Sequence, residues 1–169
     1  EEALALYANG AIKASTQYDD LAFNSFFKTG WKRFYLQWYD EPLPSARALC
    51  PKTVELIRQT PGINAAMFTL LAPHSKLGRH RDPFAGSLRY HLGVATPNSD
   101  LCRIIVDGNT YSWRDGAEAV FDETYLHEAH NDTDQTRIIL FADIERPLRT
   151  PVARAINRFV SRHLMRAAA

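Results

Sequence analysis

The sequence predicts a mainly β protein, an antiparallel barrel or jelly roll with helices flanking it at both ends. Short β-prone runs recur between about residues 30 and 147, tight turn signals separate them, and the helical patterns fall mostly outside that span. At 169 residues the chain is long enough for one domain with a real core and too short for two of ordinary size, so a single domain over 1–169 is expected.

Residues 1–14 have helical spacing with acidic residues first, where the helix dipole favours them, although Asn9-Gly10 weakens the middle. Residues 18–28 form an irregular aromatic stretch. Over 30–40, Phe34, Leu36 and Trp38 alternate with Arg33, Tyr35 and Gln37, the period of a strand. Two prolines make 41–45 a loop. A short helix is expected over 51–59, with proline in its first turn and Pro61-Gly62 as its stop.

A strand over 63–71 runs into a turn-rich 73–78. Next, Leu88, Tyr90, Leu92 and Val94 alternate with Arg89, His91 and Gly93, giving a strand with one apolar face and one polar face. After a loop over 96–100, Asp107-Gly108 sits between two β-prone runs within 101–113, a strong hairpin signal. A turn at 113–116, a strand over 117–122 and a last strand over 136–144 complete the core. A closing helix is expected over about 152–167.

Composition narrows the classes of function. A formal net charge of +1 gives no global attraction to nucleic acid, and no nucleic-acid partner is expected. Two cysteines, Cys50 and Cys102, are too few for a disulfide framework and favour a reducing compartment. No run of about 18 apolar residues would span a membrane. The chain opens at Glu1 rather than methionine, so a native N-terminal part is expected to precede it.

Chemistry concentrates in 79–94, RHRDPFAGSLRYHLGV. His80 and Asp82 are two apart, and on extended chain residues i and i+2 point to the same side. An Asp-Pro pair also makes turns, so Asp82 alone has a second reading. With His127, in FDETYLHEA, these residues make two imidazoles and a carboxylate, a set that holds ferrous iron on one face and leaves positions open. Such vacancies suit an oxygenase whose 2-oxo acid co-substrate chelates the iron beside O2. Arg137, ten residues after His127, is an inward arginine whose planar fork matches the far carboxylate. Thr69, on an earlier strand, adds a hydroxyl donor.

These motifs carry a resemblance. HRDPFAGSLRYHLG, VFDETYLHEA and RIILFADIERP are similar to the aspartyl/asparaginyl β-hydroxylase family of Fe(II)- and 2-oxoglutarate-dependent oxygenases. Together with FNSFFKTGWKRFYLQWY, ALCPKTVELI, TPNSDLCRI, YSWRDG and AINRFVSR, they resemble its bacterial lipid A 2-hydroxylase branch. The resemblance implies a double-stranded β-helix, the cupin-like jelly roll. It implies iron at His80 and His127, the chain carboxylate of 2-oxoglutarate at Arg137 and Thr69, and Arg89 and His91 near the iron-proximal end of that co-substrate. The animal protein-hydroxylase branch has glycine where this chain has Asp82, so Asp82 as a ligand rests on its placement. The implied reaction is hydroxylation at C2 of a secondary fatty acyl chain of lipid A, with 2-oxoglutarate converted to succinate and CO2. Other substrates in view are another amphiphilic lipid, an amino acid or a protein Asp/Asn side chain. A non-catalytic jelly-roll module that uses the same pocket for a small anion is a further reading.

In the closing helix, Arg154, Arg158, Arg162 and Arg166 recur every four residues beside a stripe of Ile156, Phe159, Val160 and Leu164. This pattern fits a helix packed on the barrel, and equally a helix lying on an anionic membrane surface. The resemblance implies work at the cytoplasmic face of the bacterial inner membrane, held there by a segment absent from this chain.

Overall fold

Among the described residues the strands pair antiparallel, and they divide into a larger and a smaller sheet. The computed structural model describes residues 1–14, 31–39 and 41–165. The expected aromatic stretch at 18–28 and Arg166 lie outside them.

The elements are α1 (Glu2–Ala8), β1 (Lys13–Ala14), β2 (Trp31–Trp38), β3 (Glu41–Pro42), α2 (Pro44–Leu49), α3 (Pro51–Gln59), β4 (Ile63–Leu71), β5 (Ser75–His80) and β6 (Ser87–Ala95). There follow β7 (Cys102–Val106), β8 (Asn109–Ser112), β9 (Glu118–Phe121), β10 (His127–Asn131), β11 (Arg137–Glu145) and α4 (Pro151–Val160), which ends in a π turn at Ser161–Met165. The larger sheet runs β1-β2-β4-β11-β6-β9, with β3 on β2. The smaller runs β5-β10-β7-β8. This is the double-stranded β-helix, a jelly roll.

Two cores hold the layers together. Between the sheets lie Trp31, Met67, Leu71, Ile104, Trp113, Ala129 and Ile139. On the outer face of the larger sheet, Leu6, Ala46, Val54 and Ile57 from the helices cover Phe34, Leu36, Phe68, Leu70 and Ile138. The larger sheet is therefore buried on both sides, which is why β4 reads as a continuous apolar run (INAAMFTLL). The same sandwiching buries Arg33, on the polar side of the β2 alternation, completely. Glu2 clamps α1 to the start of α3. Its carboxylate accepts the backbone N–H of Lys52 at 2.9 Å and of Thr53 at 2.8 Å, where the helix leaves donors free.

Several elements differ from the sequence expectation, each for a physical reason. The first helix stops at Ala8 rather than 14, because Asn9-Gly10 terminates it and Gly10 takes φ +71°. Prolines in 41–45 do not make a plain loop: Pro44 opens α2, since a helix's first position needs no N–H. The turn-rich 73–78 is mostly β5, a strand of polar and small residues with no apolar period to reveal it. The helix expected over 152–167 is a Thr150-capped α4 that loosens into a π turn from Ser161. The Asp107-Gly108 hairpin is as expected, with both residues at positive φ (48° and 82°), the pair a type I′ turn requires. Both cysteines are free and buried.

On β6 the polar set is the deeper one. Ser87, Arg89 and His91 are buried, and Tyr90 and Val94 pack half-buried toward the helix side. The polar face thus looks between the two sheets.

Candidate active site

The last residue of β5 and the first of β10 are opposite one another: His80 and His127 are Cα partners, with ring centroids 4.2 Å apart. Asp82 follows just past the end of β5, held there by its backbone N–H donating to the carbonyl of Glu123 at 3.0 Å. One ligand atom from each of His80, Asp82 and His127 lies within 4.8 Å of the others. Both imidazoles are oriented by carbonyls. His80 Nδ1 is 2.7 Å from the Gly78 oxygen, and His127 Nδ1 is 2.9 Å from the Tyr125 oxygen. A carbonyl only accepts, so each ring carries its proton on Nδ1 and turns the Nε2 lone pair inward, the arrangement a metal-bound histidine needs. Burial holds His127 below its usual pKa, against the Tyr125 carbonyl and Asp82, which pull it up, and favours its neutral, ligating form. The donor set and its outer partners therefore fit a divalent transition metal.

Deeper between the sheets lies Arg137, carried by β11 and almost fully buried. Its guanidinium packs over the Trp113 ring at 4.4 Å and donates to Thr69 Oγ1 at 3.2 Å. Burial pulls its pKa down to about 10, which leaves it charged at neutral pH. Among the described residues no carboxylate pairs with it, and its Nε has no hydrogen-bond partner. A buried cation left in this state calls for an anion from outside the chain. Asp143, on the same strand, pairs with Arg89 rather than with Arg137.

His91 lies between the two ends of the pocket. Trp113 Nε1 donates to its Nδ1 at 3.3 Å, so the His91 proton sits on Nε2, where no acceptor among the described residues meets it. Burial first, then the charges of Arg137 and Arg89, keep it well below its usual pKa and neutral. The pocket thus offers an N–H donor and a guanidinium to an incoming acceptor. Leu77, Ile104, Ala129 and Ile139 make its walls dry.

Arg89 is placed differently from the other pocket residues. It meets Asp82 at 2.8 Å, Asp143 at 3.0 Å and Glu123, over the Phe141 ring at 3.8 Å. All seven residues singled out from the sequence (Thr69, His80, Asp82, Arg89, His91, His127 and Arg137) line this one pocket. Sequence reasoning missed Glu123 and Asp143 as members of the site. The one available signal was an acidic residue four places before His127 in FDETYLHEA.

Comparison with known proteins gives a consistent picture. The family model described as aspartyl/asparaginyl beta-hydroxylase matches residues 1–147. A Rhizobium tropici protein named ornithine lipid ester-linked acyl 2-hydroxylase is 39% identical over 130 residues, which cover 76% of this chain and 46% of that protein. The human aspartyl/asparaginyl beta-hydroxylase is 27% identical over 132 residues, 75% of this chain and 17% of that protein. The chain thus spans less than half the length of these relatives. Among solved structures, a Pseudomonas putida prolyl-4-hydroxylase superposes with a TM-score of 0.59 at 16% identity, over 86% of this chain and 83% of that one. At that identity the likeness speaks for the fold alone.

Proposed function

Because the chain belongs to the aspartyl/asparaginyl β-hydroxylase family, we propose that it is an Fe(II)- and 2-oxoglutarate-dependent hydroxylase acting on C2 of a secondary fatty acyl chain of lipid A. The observation that carries the reading is Arg137: a buried cation with no carboxylate of its own among the described residues, in the same pocket as two inward-facing imidazoles and an aspartate. His80, Asp82 and His127 would hold the iron. Arg137 and Thr69 would take the distal carboxylate of 2-oxoglutarate by charge-assisted hydrogen bonds. The His91 Nε2–H is the donor available to an oxygen nearer the metal. The apolar walls exclude water and receive a hydrocarbon segment. When bound, iron, 2-oxoglutarate and O2 supply the oxidant for an unactivated C–H bond, with succinate and CO2 as co-products. The protein's task is to position that bond.

An acyl chain on a different amphiphile is the second reading, favoured by the name of the Rhizobium relative. Mass spectrometry of lipid A and of aminolipids, from cells with and without the protein, separates the two. A gain of one oxygen on a lipid A acyl chain is expected. A gain on the aminolipid alone would move the substrate there. No lipid product, with succinate formed only on addition of an amino acid or a peptide, would move it out of lipids. No succinate under any condition would leave a binding module.

An anionic membrane surface is the proposed partner, at the cytoplasmic face of the bacterial inner membrane, with anchoring by a segment outside this chain. No helix among the described residues is long and apolar enough to cross a membrane. Support comes from α4, where Val152, Ile156 and Phe159 share an outward face and are 69%, 59% and 60% exposed. The arginine ridge is partly committed to the protein. Arg154 donates to the carbonyls of Leu148 and Arg149, and Arg158 pairs with Glu145 at 3.1 Å. Asn157 donates to the Gly86 carbonyl at 2.8 Å, which fastens the helix to the loop that follows Asp82. The helix that carries the exposed apolar face is thus tied to the loop that follows the proposed ligand Asp82.

A further inference from the structure

Behind the metal ligands four charged side chains are packed together out of solvent: Asp82, Arg89, Glu123 and Asp143, with side-chain exposures of 12%, 5%, 2% and 7%. Metal ligation accounts for only Asp82. The cluster is built by register. Arg89 on β6 is the direct cross-strand partner of Asp143 on β11 and of Phe121 on β9, and Glu123 follows Phe121 by two residues. Ser87 Oγ donates to Glu123 Oε1 at 2.7 Å and fixes that carboxylate. Arg89 Nη2 bridges Glu123 and Asp82 Oδ2, its Nε lies 3.0 Å from Asp143 Oδ1, and Phe141 floors the guanidinium. The Glu123 carbonyl also holds the Asp82 backbone. Both ends of Asp82 are thus set by groups that touch Glu123.

We propose that Glu123 and Asp143 are positioning residues for the metal. They hold Arg89, which fixes the Asp82 carboxylate beside His80 and His127, and their charges make the cluster a receptor for a divalent cation. Three carboxyl groups share one guanidinium in this buried site, and a divalent cation offsets that excess of acidic groups. Loss of the Glu123 charge weakens metal binding by two routes of the same sign. Arg89 then competes harder for Asp82, and the attraction felt by the cation drops. This inference rests on the metal-binding reading of the pocket and deepens it, because it makes Asp82 a held ligand and names what holds it.

The test titrates cobalt(II), without oxygen or 2-oxoglutarate, into metal-free wild type, Glu123→Gln, Asp143→Asn and His80→Ala, and follows the visible absorption of the bound ion. Melting curves of the metal-free proteins run beside it. Wild type is expected to bind one ion, and His80→Ala to lose it. Glu123→Gln and Asp143→Asn are each expected to raise the Kd at least tenfold, with a melting temperature no lower than that of wild type, since each relieves crowding among carboxylates. A merely structural glutamate would give the reverse pattern, lower melting with unchanged Kd. Asp143→Asn, on another strand, keeps the test open if Glu123→Gln fails to fold. Wild-type Kd values in both variants overturn the inference and leave the metal site standing. No binding by wild type overturns both.

Discussion

Arg137 separates the roles of the two ends of the pocket. Arg137→Ala is expected to raise the KM for 2-oxoglutarate about a hundredfold or more, since removing one partner of a desolvated ion pair costs several kcal/mol. Metal affinity should stay near wild type, because Arg137 is not among the grouped metal ligands. Arg137→Lys should restore little, because a point charge does not replace a planar fork beside Trp113. An unchanged KM in Arg137→Ala would remove the co-substrate assignment. His91 gives a pH signature. Buried, it stays neutral, whereas in the unfolded chain it titrates near 6.5. Below that pH the unfolded state takes up the extra proton first, so the His91 contribution is intact above pH 6.5 and is lost as pH falls toward the folded-state value. His91→Gln should flatten the pH dependence of stability by at most about 1.4 kcal/mol per pH unit, read from urea unfolding between pH 7.5 and 5. Parallel curves for the two proteins would show that His91 is not held neutral. His80 and Asp82 stood out by their two-residue spacing, Arg137 by the alternation of its strand, and His127 by the motif FDETYLHEA. Glu123 and Asp143 were not, because their partner Arg89 lies on another strand and only the register of β6, β9 and β11 brings the three together.

At the scale of elements, what the sequence showed depended on whether a strand's apolar period survives. β4, β6 and β11 were readable by their runs and alternation, and the hairpin by its Asp-Gly turn. β5 (SKLGRH) and β10 (HEAHN) were not readable as strands, because their inward positions, Ser75, Leu77 and His80 on one and His127, Ala129 and Asn131 on the other, do not form a regular apolar set. Function has displaced the pattern that reveals structure. Gly93 on β6 is a second case. A Cβ there would come within 1.9 Å of the Arg114 carbonyl oxygen, which the neighbouring turn fixes through the Gly116 N–H bond to the Gly93 carbonyl at 2.9 Å. Gly93→Ala should therefore destabilise by about 1–3 kcal/mol, as overpacking against backbone does; thermal melting unchanged from wild type would mean that the turn yields freely. For α4, Ile156→Ser with Phe159→Ser should reduce co-sedimentation with anionic vesicles and leave the melting temperature near wild type, because both side chains face outward. Higher salt should weaken only the arginine-dependent part of wild-type binding. Equal sedimentation of variant and wild type at low salt would return α4 to a solvated helix.

On the scale of the molecule, the two sheets divide the labour. His80 and His127 sit on β5 and β10 of the smaller sheet, while Thr69, His91 and Arg137 sit on β4, β6 and β11 of the larger one. A co-substrate that chelates the metal at one end and meets Arg137 at the other would span the gap as a strut, pinning the sheets at a fixed separation. Metal and co-substrate should then stiffen the barrel together more than either does alone. The rise in melting temperature with manganese(II) and 2-oxoglutarate combined should exceed the sum of the two separate rises, by ordinary linkage of binding to folding. Amide exchange along β5, an edge strand of the smaller sheet, should slow most in the ternary complex. Additive shifts would mean that the two ligands do not touch. Each of the two walls is thus incomplete without the other, and the cargo that reacts inside is also the bolt that closes them.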